Sequence, residues 1–298
     1  MSTITEICEI CGQAQWLPLY EGPIRMGRFG QWSPGPVAVW RCAVCRAGRL
    51  DVAALDYASS YYRNSVDGDD SAETYFRLHD KDQLANLCML GTDGLRGKVV
   101  ADIGCGAGSF LDLVKGPAAA TIAIEPNPTY QATLRQHGHH CFAYPGDALA
   151  TWESQVDLAV SFAVIEHVPD PLCFLSQIRS LLKPGARLLL STPNADDWLV
   201  GFHPDYARFF YRRAHKWYFN RDSLQFLAEK AGFSDMNCHF RQRFDLANAF
   251  YWLREGRPTG LAKLPLFQNC DAGYRQCLED HGVSDFIFAS LHAAPRDS

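Results

Sequence analysis

Val99-Val100-Ala101-Asp102-Ile103-Gly104-Cys105-Gly106-Ala107-Gly108-Ser109-Phe110 reads as a buried strand that runs into a glycine turn and then opens a helix. Glycine lets the backbone take positive φ and come close to a ligand, and a helix N-terminus offers free N–H donors to a carboxylate or phosphate. Ligands bind at such a place in open α/β sheets. Glu125 closes the next strand 21 residues after Gly104, where an acid meets ribose hydroxyls. The pattern therefore points to a nucleotide-like cofactor, with a merely structural glycine turn as the competing reading. Ser109 stands where a dinucleotide fingerprint has Gly or Ala, and Asp102 puts an acid beside the loop, so NAD is disfavoured. The chain lacks the G-x-x-x-x-G-K-[ST] pattern of ATP-hydrolysing loops.

Outward from this loop, short apolar strands over 99–103, 121–124, 158–161 and 187–191 alternate with helices, the clearest at 171–182. That alternation predicts parallel βαβ units in a doubly wound, Rossmann-like α/β sheet. A helix at 222–232 and strands at 233–240 and 284–291 extend it. Before the sheet, 51–95 reads as a helical connector or lid with apolar positions at Tyr75, Leu78, Leu84, Leu87 and Leu90, and with Tyr61 and Tyr62 ahead of them. The core domain is expected over 96–298, with substrate-covering segments at about 196–221 and 241–283.

Asp102-Ile103-Gly104-Cys105-Gly106-Ala107-Gly108 resembles the first motif of class I S-adenosylmethionine-dependent methyltransferases. Ile124-Glu125-Pro126, Gly146-Asp147-Ala148 and 156–162 match later motifs in order and spacing. The run 182–194 is similar to the helix-turn-strand of the ubiquinone O-methyltransferase-like branch. The resemblance covers about residues 96 to 195 and implies a seven-stranded sheet, S-adenosylmethionine as cofactor and S-adenosylhomocysteine as product. It further implies that Gly104, Gly106 and Gly108 approach the methionyl part, Glu125 the ribose and Asp147 the adenine amine, with Asp102 and Phe162 completing the pocket.

Methyl transfer is an in-line displacement, so the protein must align a nucleophile and exclude water. A hydroxyl acceptor also gains from a base, and His167, just beyond the fourth strand, is the candidate. Two readings of His167 stand side by side: general base, or a packed loop residue that shapes the pocket. Glu166 is read as orienting that loop. Ser161-Phe162-Ala163-Val164 is not the Asn/Asp-Pro-Pro-aromatic signature of enzymes that methylate exocyclic base amines. The stretch 208–221 holds five Lys or Arg, six aromatics and no acid. It suits an anionic or ring-bearing acceptor, with His215 and Tyr218 as candidate contacts, or else its aromatics are core and its arginines snorkel.

Cys8/Cys11 and Cys42/Cys45 form two C-x-x-C pairs thirty residues apart, the pattern of a closed, tetrahedral structural zinc site in a module over 1–50. An iron–sulfur cluster or redox dithiol is the rival. A similar paired-cysteine head precedes the core in sugar C-methyltransferases of deoxysugar pathways, although those continue into a large further domain. The 298 residues are 47% hydrophobic and carry a net charge of −5, which gives no global field for nucleic acid or anionic membrane. With no apolar run long enough to span a membrane and no leader-like start, a cytoplasmic protein is expected. The expected function is methylation, most simply O-methylation, of a small polar or anionic biosynthetic intermediate such as a sugar, nucleotide-sugar or natural-product precursor. An RNA or protein methyltransferase and a non-catalytic cofactor-binding protein are the alternatives. Acceptor identity, pathway and oligomeric state are not encoded in any motif.

Overall fold

Uninterrupted apolar runs such as Val99–Ile103 and Ala120–Ile124 suit strands buried on both faces, and each forms the interior of a parallel sheet. The computed structural model describes residues 6–59, 61–259 and 264–295. In chain order the strands are β1 (Trp16–Gly22), β2 (Val37–Cys42), β3 (Gly48–Leu50), β4 (Val99–Ile103), β5 (Ala120–Ile124), β6 (His140–Phe142), β7 (Val156–Phe162), β8 (Leu182–Pro193), β9 (Trp217–Tyr218), β10 (Phe233–Arg241) and β11 (Phe286–Ala293). Seven of them form one mixed sheet in the order β10-β11-β8-β7-β4-β5-β6. Strands β4 to β8 run parallel, and β11 lies antiparallel between β8 and β10. The order reverses between β4 and β7, which opens a crevice at their carboxyl ends.

Helices follow their local signals. Helix Pro171–Leu181 starts on Asp170, whose carboxylate accepts the Cys173 N–H, and it buries Phe174, Leu175, Ile178 and Leu181 against the sheet. Helix Arg221–Lys230 has a reciprocal cap between Asn220 and Ser223. In the connector, helix Ala72–Leu90 starts on Ser71 and touches the core near its two ends, through Tyr75 beside Ala107 and Tyr130, and through Leu87 beside Val100 and Phe110. Leu78 and Leu84 belong to the expected apolar pattern but are 42% and 51% exposed, because the side that meets the core is the Tyr75–Leu87 side.

A second sheet has the order β1-β2-β3-β9. Its first three strands come from the N-terminal module, while β9 lies in 196–221, the segment expected to cover substrate. Trp217, fully buried, packs in one cluster with Cys8, Cys42 and Cys45. The boundary at residue 50 is thus bridged by a strand pair, Gly48↔Tyr218 and Arg49↔Trp217. Arg49, 1% exposed, is held by Glu9 at 3.0 Å and Glu6 at 2.5 Å. Among the described residues, no helix is long and apolar enough to cross a membrane.

Candidate active site

A cavity of about 1190 Å³ occupies the crevice at the sheet's switch point. Asp102, Gly104, Glu125 and Phe162 line one end, and His167, His215 and Arg212 line the other. The connector covers it with Tyr57, Tyr62 and Tyr75.

At the first end, Glu125 holds the glycine loop in shape. Its Oε2 accepts the Gly106 N–H and its Oε1 the Asn127 N–H, both at 2.9 Å. Gly106 sits at φ +56°, and a Cβ there would fall 2.3 Å from the Tyr75 ring, so only glycine admits this approach. Gly104 has φ +79° and equally little room, since a Cβ there would fall 2.4 Å from the Val164 side chain. Asp102 is 3% exposed and has no hydrogen-bond partner for its carboxyl among the described residues. Burial, with Glu125 beside it, raises its pKa to about 8, and burial raises Glu125 as well. A cationic group placed beside these two buried carboxyls would favour their ionised forms and reverse part of that shift.

Other sequence-predicted positions lie nearby without lining the cavity. Gly106 and Gly108 are covered by Tyr75 and Leu134 respectively. Asp147 caps helix Pro145–Trp152, its Oδ2 accepting the Tyr144 N–H at 2.9 Å, while Tyr144 and Pro145 of that turn face the cavity. Tyr218 is 2% exposed, and its hydroxyl accepts the Arg212 N–H at 2.9 Å. It therefore meets the cavity only through the Arg212 backbone it holds. Tyr61 is exposed, whereas Tyr62 lines the cavity.

At the second end, His167 Nδ1 lies 2.8 Å from the Ala214 carbonyl and 2.5 Å from the Tyr57 hydroxyl. The Tyr57 hydroxyl donates its proton to the same Ala214 carbonyl at 2.7 Å, and the carbonyl can only accept, so Nδ1 carries the proton and Nε2 is left as the basic nitrogen. Burial lowers the His167 pKa to about 3, with Arg212 and Arg63 adding to the effect and the Ala214 bond opposing it. The ring is consequently neutral, and the same burial makes its free nitrogen a weaker base than an exposed imidazole. Nε2 is 3.9 Å from Glu166 Oε1, which is buried without a hydrogen-bond partner, while Thr192 donates to Glu166 Oε2 at 3.0 Å. Burial pushes Glu166 up to about 7. The Glu166 carbonyl also accepts the N–H groups of Lys216 (2.8 Å) and Trp217 (3.0 Å), tying this loop to β9. His215 packs edge-on against His167, with ring centroids 4.8 Å apart. Tyr57 carries no motif or periodicity that marks it in the sequence, whereas Tyr75 falls in the connector's helical pattern, which marks it as a packing residue and not as a cover for the glycine loop.

The four paired cysteines come together in the N-terminal module. Their sulfurs lie within 4.8 Å of one another, Cys8 to Cys45 at 3.6 Å and Cys11 to Cys42 at 3.4 Å. Tetrahedral zinc with Zn–S bonds of about 2.3 Å needs sulfur separations of roughly 3.8 Å, which this cluster fits. Both pairs adopt the same knuckle, with the residue after the second cysteine, Gly12 or Arg46, donating its N–H to the first cysteine's carbonyl from a left-handed φ. The Cys8 thiol is pushed down to about 5 by its bond with Cys45.

Residues 77–237 match the family described as the methyltransferase domain. The ubiquinone biosynthesis O-methyltransferase of Idiomarina loihiensis is 31% identical over 121 residues, 37% of this chain and 49% of that protein. Its counterpart from Cereibacter sphaeroides KD131 is 28% identical over 159 residues, 47% of this chain and 60% of that protein. The chain thus spans about half to three-fifths of the length of these curated relatives. In fold it is similar to a Thermotoga maritima S-adenosylmethionine-dependent methyltransferase described as a possible histamine N-methyltransferase, at 20% identity and TM-score 0.51, covering 74% of this chain and 93% of that one. An Archaeoglobus fulgidus S-adenosylmethionine-dependent methyltransferase gives TM-score 0.50 at 19% identity, with 73% and 99% covered. With its switch-point crevice, glycine loop and Glu125 in place, the chain belongs to the methyltransferase-domain family of S-adenosylmethionine-dependent enzymes.

Proposed function

We propose that this enzyme methylates a hydroxyl of a small polar or anionic biosynthetic intermediate. The observation that carries the reading is the cavity itself, which joins the glycine loop and Glu125 at one end to His167 and His215 at the other. When bound, S-adenosylmethionine supplies a methyl group made electrophilic by its sulfonium. Glu125 would hold the ribose hydroxyls, the glycine loop would admit the methionyl part, and the buried Asp102 and Glu125 suit its positive charge. Tyr75 and the connector close over that end and exclude water. His167, neutral and with Nε2 free of a proton, would take the acceptor's proton as the new bond forms, a contribution of about 10² to 10⁴ in rate. Tyr57 and the Ala214 carbonyl fix its tautomer. The names of the O-methyltransferase relatives favour oxygen as the acceptor atom.

The N-terminal cysteines would hold one structural zinc ion, with all four positions filled by sulfur and none left for chemistry. A cytoplasmic location remains part of this proposal. Incubating the protein with methyl-labelled S-adenosylmethionine and a fractionated extract of its source tests the reading. Label in a small-molecule fraction is expected; label confined to RNA or protein overturns it.

A further inference from the structure

The acceptor end of the cavity contains two guanidinium groups that make no ion pair among the described residues. Arg25 belongs to the N-terminal module and Arg212 to the segment before β9, yet they are partners in a parallel β-bridge. The Arg25 N–H donates to the Tyr211 carbonyl at 3.0 Å, and the Arg213 N–H to the Arg25 carbonyl at 2.8 Å, so the two arginines are held side by side. Both line the cavity. Among the described residues, neither side chain makes an ion pair or a hydrogen bond, and the Arg25 Nε is buried without a partner.

The neighbouring acids are committed elsewhere. Asp285 binds Arg243 through its backbone N–H and its Nε, each at 2.7 Å, and Asp56 accepts the Ala58 N–H. Glu166 accepts the Thr192 hydroxyl at Oε2 and feels the Arg212 charge, but it makes no ion pair with it. Burial and the Arg212 charge lower the Arg25 pKa to about 9, the response of two like charges in a half-dry site. The Arg25 guanidinium lies over the Phe209 ring at 4.0 Å, a stacking that keeps its edge available for hydrogen bonding. Leaving two cations in this position has a cost that an oxyanion would offset with charge-assisted bonds.

We infer that Arg25 and Arg212 form a clamp for an oxyanionic group, phosphate or carboxylate, on the methyl acceptor. This deepens the proposed function and rests on it for the identity of the acceptor site. It also gives the N-terminal module a direct part in acceptor recognition, since that module supplies half of the clamp.

The test is equilibrium binding of three probes, phenyl phosphate, benzoate and phenol, to the full chain with and without saturating S-adenosylhomocysteine. At least one anionic probe is expected to bind about tenfold more tightly than phenol, and the preferred anion separates a phosphate site from a carboxylate site. R25M and R212M should each weaken that anion about tenfold and leave phenol unchanged. S-Adenosylhomocysteine affinity, measured on the same samples, reports whether each variant is folded and whether the methyltransferase reading itself holds. R25K and R212K, which keep charge but lose the planar fork, should fall between. Phenol binding as tightly as both anions, or unchanged anion affinity in both Met variants, overturns the clamp.

Discussion

Asp102→Asn isolates the buried acid beside the glycine loop, and its effect on stability has a definite sign. In the folded protein burial and the neighbouring Glu125 raise this carboxyl from 3.8 to about 8. At pH 7 the folded state therefore holds a proton that the unfolded chain has released. Stability must then fall as pH rises from about 4 to about 8, and level off above that. Glu166 and Asp197, both raised to about 7, act in the same direction and are still half protonated at pH 7. Buried His167 and His215 are lowered, so they act in the opposite direction, and they titrate in the unfolded chain only around and below about 6.5. These groups, and Cys8 with its lowered pKa, are common to wild type and D102N, so their contributions cancel in the difference between the two proteins and Asp102 remains. A full proton difference is worth about 1.4 kcal/mol per pH unit, and partial ionisation near the midpoint reduces this to about 1 kcal/mol. Urea unfolding of the ligand-free protein at fixed ionic strength should show the stability of wild type relative to D102N falling by that amount from pH 7 to 8. Parallel curves for the two proteins would refute the argument, because they would mean that Asp102 is already ionised when folded.

Glu125→Ala is expected to abolish S-adenosylhomocysteine binding in calorimetry, and unaltered affinity would remove the ribose assignment. It should also cost about 1–3 kcal/mol for each of the Gly106 and Asn127 N–H groups it leaves without an acceptor, a loss that urea melts will register and that Gln should partly restore. His167→Ala should lower turnover by at least about 10²-fold with S-adenosylhomocysteine affinity retained; near-normal turnover sinks the general-base role. Metal analysis of the purified protein should find about one zinc per chain, and iron or no metal refutes the structural zinc. Cys45→Ser should release that zinc and lower turnover as well as the melting temperature, since β9 is bonded both to β3 and to the Glu166 carbonyl.

The half of the site that was legible in the sequence lies within a continuous run of βαβ structure. Strand β4 forms over the expected residues 99–103, and Glu125 meets the Gly106 N–H because β5 pairs with β4 in register, Ile103 beside Ile124. Apolar runs, glycines and a fixed spacing carry that information locally. Short strands escape such reading. β6 has three residues, none fully buried, and β9 is a Trp-Tyr pair inside a basic aromatic run without alternation. The acceptor end is invisible for a related reason: its parts are pairs of distant residues. Tyr57 meets His167 across 110 positions, and Arg25 bridges to Arg212 although the two lie in different segments of the chain. No periodicity links such positions, and each alone reads as a loop tyrosine or a solvated arginine. The same geometry explains why a cysteine-rich head can matter to a site that its cysteines do not line. By pairing with β9 it fixes the peptide that carries His215 and Arg212, and through the Glu166 carbonyl it steadies the loop that carries His167. The glycine-loop end is built on the sheet with one connector residue, Tyr75, laid over it, whereas the His167 end exists only where the module, the connector and the sheet meet.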